Sequence, residues 1–425
     1  MLDIKLIREN PDIVRKDLKK RRKTEKIALL DELLKRDRKW RRLLTEVNNL
    51  RHRHNIVTAQ IAEKKKRGEE ASKEILEAKE IPAKIKKLGA KVEEDKARIN
   101  QILLELPNIL HESVPFGKDE TDNVVLRVCG KPPKFDFEPK NHLEVALSLG
   151  LIDEERAGKV AGRGFVYLKK ELVLFDYAIM RYAMDFLVKK GYVLVEPPFM
   201  IRREPYEGVV ELADFENVMY KIENEDLYLI ATSEHALASM YMDEVINRAD
   251  LPIKLIGVSS NFRKEVGAHG KYTKGLFRMH QFNKVEQFIF CHPSQSWELF
   301  KEIQRNAEEL YQNLGLHYRV VEICSGDMGL MKAKSYDIEV WMADGEFREI
   351  GSNSNCTDYQ ARRLNIRFRD KEGQAPAGFV HTSNNTALAT SRTMMAILEQ
   401  YQQKDGSFVI PKVLRPYMNG MEKIG

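Results

Sequence analysis

Hydrophobic residues in the first hundred positions recur at a spacing of three to four, which is the period of an amphipathic helix. Between Asp31 and Lys66 the chain contains neither glycine nor proline, and apolar residues are separated by charged ones. The run breaks at residues 67–70, and a second run with the same spacing follows. Two long amphipathic helices joined by a short turn are typical of an antiparallel hairpin. The pattern therefore predicts a helical arm over residues 31–104.

The same pattern predicts where the domains divide. The arm belongs to an N-terminal domain of residues 1–106, and Pro82 and Gly89 are expected to interrupt its second helix. Residues 107–140 contain five prolines and several acidic residues, and this composition favours a linker. Residues 141–425 then form a second domain.

The second domain mixes strand-like and helix-like patterns. The expected elements are a helix over 173–190, strands over 192–200 and 226–235, a helix over 297–313, a hairpin over 336–352 and a helix within 381–402 that follows polar capping residues. Residues 173–190 are so apolar that the helix must be buried, either in the core or against a second subunit. Pro197 and Pro198 indicate that the next strand lies at an edge or at an interface.

Residues 256–290 carry the most unusual pattern, two strands joined by a loop that contains glycine and lysine. Because strand side chains alternate between faces, charged residues share one face with an aromatic ring. The residues of this face are Ser259, Asn261, Arg263 and Glu265 on the first strand and Arg278, His280, Phe282, Lys284 and Glu286 on the second. Unpaired charges are not tolerated in a core, so the face is predicted to bind a nucleotide-like ligand.

The charge of the chain is concentrated in the arm. Residues 31–66 hold eleven basic and five acidic residues, an excess of six that equals the net charge of the whole protein. A basic strip on a helical hairpin suits a phosphate backbone, and a solvated coiled-coil face explains it equally well. The candidate contacts to nucleic acid are Arg38, Arg41, Arg42, Arg51 and Arg53.

Cysteine usage and hydropathy bear on the compartment. The four cysteines form no Cys-x-x-Cys pair, and no apolar run approaches the roughly 20 residues that span a bilayer. The chain is therefore expected to be cytoplasmic, with packed thiols and no membrane partner.

Several motifs, taken in order, resemble those of the seryl-tRNA synthetases of class II, in their archaeal-like common form. They are the opening MLDIKLIRENPDIVRKDL, the helical arm, Phe262-Arg263-Lys264-Glu265, the strand HQFNKVEQF and the segment Asn384–Arg392. The resemblance implies an α+β fold with an antiparallel sheet flanked by helices. It also implies a homodimer through the 173–190 helix and Pro197-Pro198, and recognition of tRNA(Ser), with tRNA(Sec) as a further acceptor.

The resemblance implies a role for each site residue. ATP would contact Arg263, Glu265, Arg278, Phe282, Glu349, Ser352 and Arg392, with Arg263 and Arg392 stabilising charge during catalysis. Serine would contact Thr232, Glu234, Arg263, Lys284, Glu286, Asn384 and Thr386. Glu349 and Ser352 offer oxygen ligands of the type that Mg²⁺ prefers, and would hold the metal that accompanies ATP.

The sequence departs from the family pattern at several positions, and three other functions compete with the one that the resemblance implies. Tyr272 stands where the family usually has aspartate, and Asn385, Ala387 and Ser391 surround Arg392 where glycine is usual. The rivals are a ligase that loads an amino acid onto a carrier protein, a catalytically silent nucleic-acid-binding paralogue and a coiled-coil adaptor. The intact arm disfavours the first, and the retained charged residues disfavour the other two.

Overall fold

The computed structural model describes residues 1–211, 217–265 and 275–425, which divide into two compact units. The smaller unit spans residues 2–106, and the larger one contains Met1 and residues 107–425. The helices of the smaller unit are α1 (Ile4–Glu9), α2 (Pro11–Lys20), α3 (Ile27–Lys66) and α4 (Ser72–Glu105).

The predicted hairpin of two long helices is confirmed by α3 and α4. The 40 residues of α3 give it a length of about 60 Å. Leu43 and Val47 of α3 pack against Val92 of α4. The expected interruption of the second helix is wrong, because α4 runs through Pro82 without a break. Ile81 is buried beside the proline, so packing against α3 outweighs the lost backbone hydrogen bond.

Part of the basic strip stabilises the hairpin itself. Asp95 of α4 is fully buried and lies between two basic residues of α3, with Arg36 Nη1 at 2.9 Å and Lys39 Nζ at 2.8 Å. Arg98 of α4 pairs with Glu32 of α3 at 2.8 Å. Some charged residues of α3 therefore form ion pairs with α4, and the remaining basic residues face solvent.

The larger unit is built on a mixed set of strands and short helices. Its strands are β1 (Val124–Cys129), β2 (Ile152–Asp153), β3 (Tyr167–Leu168), β4 (Val193–Val195), β5 (Met200–Ile201), β6 (Tyr228–Leu229), β7 (Val245–Asn247), β8 (Ile253–Phe262), β9 (Gln281–Cys291), β10 (Tyr318–Glu322), β11 (Lys334–Trp341), β12 (Phe347–Thr357), β13 (Arg367–Arg369), β14 (Gly378–Phe379), β15 (His381–Ala389), β16 (Phe408–Val409) and β17 (Lys423–Ile424). Its helices are α5 (His142–Ser148), α6 (Glu154–Val160), α7 (Glu171–Lys189), α8 (Arg203–Val209), α9 (Ser233–Ala238), α10 (Ser296–Asn313), α11 (Tyr359–Arg363) and α12 (Thr390–Gln400).

The main sheet has the order β1-β10-β11-β12-β15-β9-β8-β4. Neighbouring strands pair antiparallel except β4, which pairs parallel with β8 at the edge. The α+β class with an antiparallel sheet is therefore confirmed. The segment predicted as a linker is not simply a connection, because its residues 124–129 form β1 and extend the sheet at the opposite edge.

Helices α7, α10 and α12 cover one face of this sheet with apolar side chains. Phe175 and Ile179 of α7, Ile303 of α10 and Ile397 of α12 are fully buried in one cluster. The other side of α7 exposes Tyr177, whose side chain is 61% accessible. The helix is thus shared between the core and an apolar surface. Throughout the described ranges, no helix is long and apolar enough to cross a membrane.

Three predicted elements differ from the structure. The strand expected over 192–200 is split into β4 and β5, because the intervening prolines cannot donate to a ladder. The strand expected over 226–235 ends at Leu229, and α9 begins at Ser233. The polar residues expected to cap a helix at 382–384 lie in β15, between β12 and β9.

Candidate active site

The site lies on β8, β9, β12 and β15, in the middle of the main sheet. Opposite residues on β8 and β9 include Gly257 with Glu286 and Asn261 with Phe282. The two strands are shorter than predicted, because β8 ends at Phe262 and β9 begins at Gln281. Arg263 still follows the ladder, since its backbone N–H donates to the carbonyl of His280 at 3.0 Å. Gly267, Gly270, Lys271, Tyr272 and Lys274 of the predicted loop lie outside the described residues.

Two arginines define the end of the site that suits phosphates. The guanidinium of Arg263 lies 5.2 Å from the centre of the Phe282 ring and donates to the carbonyl of Ala231 at 3.2 Å. Arg392 projects from the first turn of α12, donates to the carbonyl of Glu349 at 2.8 Å and lies 4.9 Å from the centre of the Phe277 ring. Burial and the positive charge of Arg392 lower the pKa of Arg263. An anionic ligand would relieve this repulsion.

Phe277, Arg278 and Glu265 also belong to this end of the site. Phe282 and Arg392 were predicted to enclose a flat ring, and both line one cavity of about 60 Å³. Phe277 lies on the same cavity and was missed by the sequence analysis, because residues 275–280 are not in a strand and strand alternation does not apply to them. Arg278 Nε pairs with Glu265 at 3.1 Å.

Glu349 and Ser352, the predicted metal ligands, both lie on β12 and line one larger cavity of about 480 Å³. Asp337 on β11 lies directly opposite Ser352, and its Oδ1 is buried without a hydrogen-bond partner among the described residues. Burial alone would raise the pKa of Glu349, but the charges of Arg392, Lys332 and Arg263 together lower it. An ionised carboxylate beside a hydroxyl suits Mg²⁺, which keeps its remaining positions for phosphate and water.

A resident metal centre is not found in the described part of the chain. No group of three or more histidine, cysteine, aspartate or glutamate side chains there has the arrangement of a metal site. The four cysteines are free thiols, and three of them are buried.

The opposite end of the site joins two carboxylates through one amide. The Nδ2 atom of Asn384 donates to Glu234 at 2.9 Å and to Glu286 at 3.2 Å. Lys284 forms an ion pair with Glu286, and the Thr386 hydroxyl donates to Glu286 at 3.4 Å. Burial and the negative charge of Glu286 raise the pKa of Glu234. A ligand with an ammonium group and a hydroxyl would satisfy this cluster.

Thr232 and Gln360 support this cluster from outside. Thr232 and Glu234 do not share a strand face, because Thr232 is the N-cap of α9 and accepts from the Glu234 N–H at 3.2 Å. Gln360 Nε2 donates to Glu234 at 3.0 Å. Sequence analysis missed Gln360, since its position on α11 is recognisable only once α11 packs beside β15.

The two cavities adjoin each other and share four lining residues. Arg263, Lys284, Glu349 and Thr386 line both of them. The carboxylate–amide cluster therefore opens towards the paired arginines and the predicted metal ligands. A small amino acid and a nucleotide phosphate bound at these two ends would meet at Arg263.

Comparison with known proteins identifies the family. A model of the seryl-tRNA synthetase N-terminal domain matches residues 1–110, and a model of the class II tRNA synthetase core domain (G, H, P, S and T) matches residues 217–401. A serine–tRNA ligase from Methanocella arvoryzae is 53% identical to this chain over 99% of its length and 100% of the relative. The chain belongs to the seryl-tRNA synthetase family.

Solved structures of seryl-tRNA synthetases agree with this assignment. The enzyme from Pyrococcus horikoshii, complexed with ATP, matches with a TM-score of 0.95 and 49% identity, covering 100% of this chain and 99% of its own. The cytoplasmic enzyme from Naegleria fowleri, in complex with AMP, matches with a TM-score of 0.90 and 34% identity, covering 100% of this chain and 98% of its own. The resemblance deduced from the motifs is therefore confirmed along the whole chain.

Proposed function

We propose that this protein is an ATP-dependent serine–tRNA ligase. It activates L-serine to seryl-adenylate with release of pyrophosphate, and then transfers the seryl group to the 3′ end of tRNA(Ser). The observation that carries the proposal is the continuity of the site: the cluster of Glu234, Glu286 and Asn384 opens onto Arg263. A nucleotide-bound family member of nearly identical fold supports the ATP assignment.

Serine binds at the carboxylate–amide cluster in this proposal. Its ammonium group pairs with Glu234 and Glu286, its carboxylate meets Lys284, and its hydroxyl bonds to Asn384 and Thr386. Alanine would leave the last two side chains without a partner, so the pocket rejects it. Thr232 holds the start of α9 and so positions Glu234.

ATP binds at the arginine end, with its adenine between Phe282 and Arg392. A serine carboxylate oxygen attacks the α-phosphorus, the bond to the β-phosphate oxygen breaks, and pyrophosphate leaves. Arg263 stabilises the negative charge that builds on the α-phosphate, and Arg392 and Arg278 hold the γ-phosphate. The carboxylate is already ionised, so no general base is required and positioning supplies most of the catalysis.

Glu349 and Ser352 would hold Mg²⁺ beside the phosphates, where the ion neutralises phosphate charge. Arg278 must leave Glu265 to reach the γ-phosphate, and this exchange frees Glu265 to orient the adenine amino group. Both changes replace an internal ion pair by a contact to ATP.

The α3–α4 hairpin binds tRNA(Ser) in this proposal, and the same reading admits tRNA(Sec). Arg38, Arg41, Arg42, Arg51 and Arg53 are all exposed on α3. Arg41 pairs with Asp37 at 3.0 Å and Arg53 with Glu77 at 2.6 Å. Arg38, Arg42 and Arg51 have no ion-pair partner among the described residues, so these three supply the charge that a phosphate backbone attracts.

The enzyme acts as a homodimer in the cytoplasm, where tRNA is available. The surface formed by Leu174, Tyr177 and Val188 of α7 and by Val193 and Leu194 of β4 is apolar and exposed. An apolar patch of this kind is typical of a subunit interface. Pro198 is exposed just beyond β4 and borders the same strand.

Serine-dependent exchange of labelled pyrophosphate into ATP tests the first step, with alanine, threonine and glycine as control amino acids. Strong exchange with serine alone is the expected result. Folded protein that binds ATP but exchanges nothing, with or without tRNA, would refute the ligase and favour a silent nucleic-acid-binding paralogue. Charging of tRNA(Ser) by the whole chain, lost in Arg38→Ala/Arg42→Ala while exchange persists, tests the arm and excludes a carrier-protein ligase.

A further inference from the structure

Lys332 lines the larger cavity and lies two residues before the start of β11. Its Nζ is 3.3 Å from the hydroxyl of Ser352 and 3.4 Å from the hydroxyl of Ser335. The Ser352 hydroxyl, which is proposed to hold Mg²⁺, is therefore already next to a positive charge. None of the roles assigned above uses this lysine.

The carboxylates around Lys332 give its charge a function. Asp337 faces Ser352 across the β11–β12 ladder, with a buried Oδ1 that accepts no hydrogen bond from the described residues. Lys332, Asp337, Glu349 and Ser352 all line the same cavity. The lysine is therefore a positive charge that shares this cavity with two carboxylates and lies next to the hydroxyl between them and the proposed metal.

Lys334, two residues further along the chain, forms a structural ion pair and serves as a comparison for Lys332. Its Nζ pairs with Glu322 at 2.9 Å, and neither side chain lines the ATP-side or serine-side cavity. Lys332 has two hydroxyls within 3.4 Å, and it lines the larger cavity. Its long, flexible side chain allows the ammonium group to move while its charge stays nearby.

We propose that Lys332 is a tethered cation that competes with the divalent metal at Ser352, and that Asp337 is a positioning residue that attracts the metal. This inference rests on the proposed Mg·ATP site and adds the two residues that set its affinity for the metal. The lysine lies within hydrogen-bond distance of Ser352. Glu349 and Ser352 would hold the metal, Lys332 would have to move away from Ser352, and the Asp337 carboxylate would attract the ion from the next strand.

Direct metal binding separates this role from a structural one. Free Mn²⁺ is measured by electron paramagnetic resonance in the presence of α,β-methylene-ATP, which cannot be cleaved at the reacting bond. Lys332→Met removes a repelling charge, so the Mn²⁺ dissociation constant should fall at least about fivefold. Asp337→Asn removes an attracting charge, so the constant should rise at least about fivefold. The Mn²⁺ dissociation constant of the double variant should lie near that of the unaltered protein.

Matched controls remove the same charges elsewhere. Glu302→Gln removes a carboxylate from α10 that pairs with Lys254, and Lys371→Met removes an exposed charge. Neither should change the constant more than about twofold. Single variants that move the constant in the same direction, or not at all, while the protein melts normally, would overturn the inference. No Mn²⁺ binding by the unaltered protein would instead refute the proposed metal site, and this inference with it.

Discussion

Gln360 Nε2 donates a hydrogen bond to Oε1 of Glu234 at 3.0 Å. The Thr382 hydroxyl donates to the oxygen of the same Gln360 amide at 2.7 Å, so the amide cannot rotate without losing both bonds. Glu234 is therefore held on one side by Gln360 and on the other by Asn384. Gln360 therefore orients the carboxylate of Glu234, which is proposed to bind the substrate, without having to contact the substrate itself.

Gln360→Leu should raise the KM for serine about 5- to 30-fold, because a buried polar group left without its partner costs about 1–2 kcal/mol. The KM for ATP should stay within about twofold, since Gln360 lies at the serine end. Steady-state pyrophosphate exchange measures both constants. Gln374→Leu, in an exposed loop, is the control. An unchanged serine KM would show that Glu234 does not depend on Gln360.

Thr386→Val should weaken the discrimination between serine and alanine about tenfold or more, because the hydroxyl that bonds to the serine side chain is lost. Thr386→Ser keeps the hydroxyl, and its discrimination should remain within about threefold of the unaltered protein. The measurement is the ratio of kcat/KM for the two amino acids. Equal effects of both variants would place the serine hydroxyl elsewhere.

Arg263→Lys should lower kcat for pyrophosphate exchange by about 10²–10³, the usual loss when one donor to a developing charge is removed. An ammonium group cannot reproduce the planar donor pattern of the guanidinium over Phe282. Arg319→Lys, where the arginine pairs with Glu339 and stacks on Phe347, is the matched control. A comparable loss in the control variant would mean that folding, not catalysis, is affected.

Asp95→Asn should lower the free energy of unfolding of the arm by about 1–3 kcal/mol, because a fully buried carboxylate loses its charge between Arg36 and Lys39. Glu80→Gln removes an exposed partner of Lys84 on the same helix and should change stability by less than about 0.5 kcal/mol. Chemical denaturation followed by circular dichroism gives both values. Similar losses in both variants would contradict the importance of burial.

Val193→Asp should raise the dissociation constant of the dimer at least about 100-fold, equivalent to about 2.7 kcal/mol. The side chain is 60% accessible and lies on the apolar surface of α7 and β4. Val160→Asp places the same charge at a position that is 73% accessible and outside that surface. Sedimentation velocity over a concentration series measures the effect. A monomeric Val160→Asp variant, or a Val193→Asp variant that still dimerises, would contradict the proposed interface.

Long-period patterns were the most informative part of the sequence. The hairpin of α3 and α4 and the helix α10 follow from apolar residues at three-to-four spacing, and the β11–β12 hairpin follows from Asp344-Gly345. The continuity of α4 through Pro82 did not follow, because packing of Ile81 against α3 is a tertiary effect. Helix propensity depends only on residues close along the chain, so it cannot account for that contact.

Polar residues in the sheet were harder to interpret. Asn384 and its neighbours have the composition of a helix cap, but β12 and β9 flank them and supply hydrogen-bond partners. Lys332, Asp337 and Gln360 belong to no local motif, so only the assembled sheet reveals that they line the site. The motif residues themselves were found because strand alternation and the family pattern agree on them.

The amide of Asn384 lies between the carboxylates of Glu234 and Glu286. We expect this arrangement to select ligands first by their charge and only then by their hydroxyl group. Lys284 pairs with Glu286 and is the countercharge of this cluster. Two carboxylates and one ammonium group give the cluster a net charge of one negative unit. A zwitterionic amino acid would bring an ammonium group to these carboxylates and leave the net charge of the cluster unchanged. Glyceric acid, which has the hydroxyl and the carboxylate of serine but no amine, would add a third carboxylate to this cluster. We therefore expect the pocket to reject ligands without an ammonium group first, and to select among amino acids by their side chains afterwards.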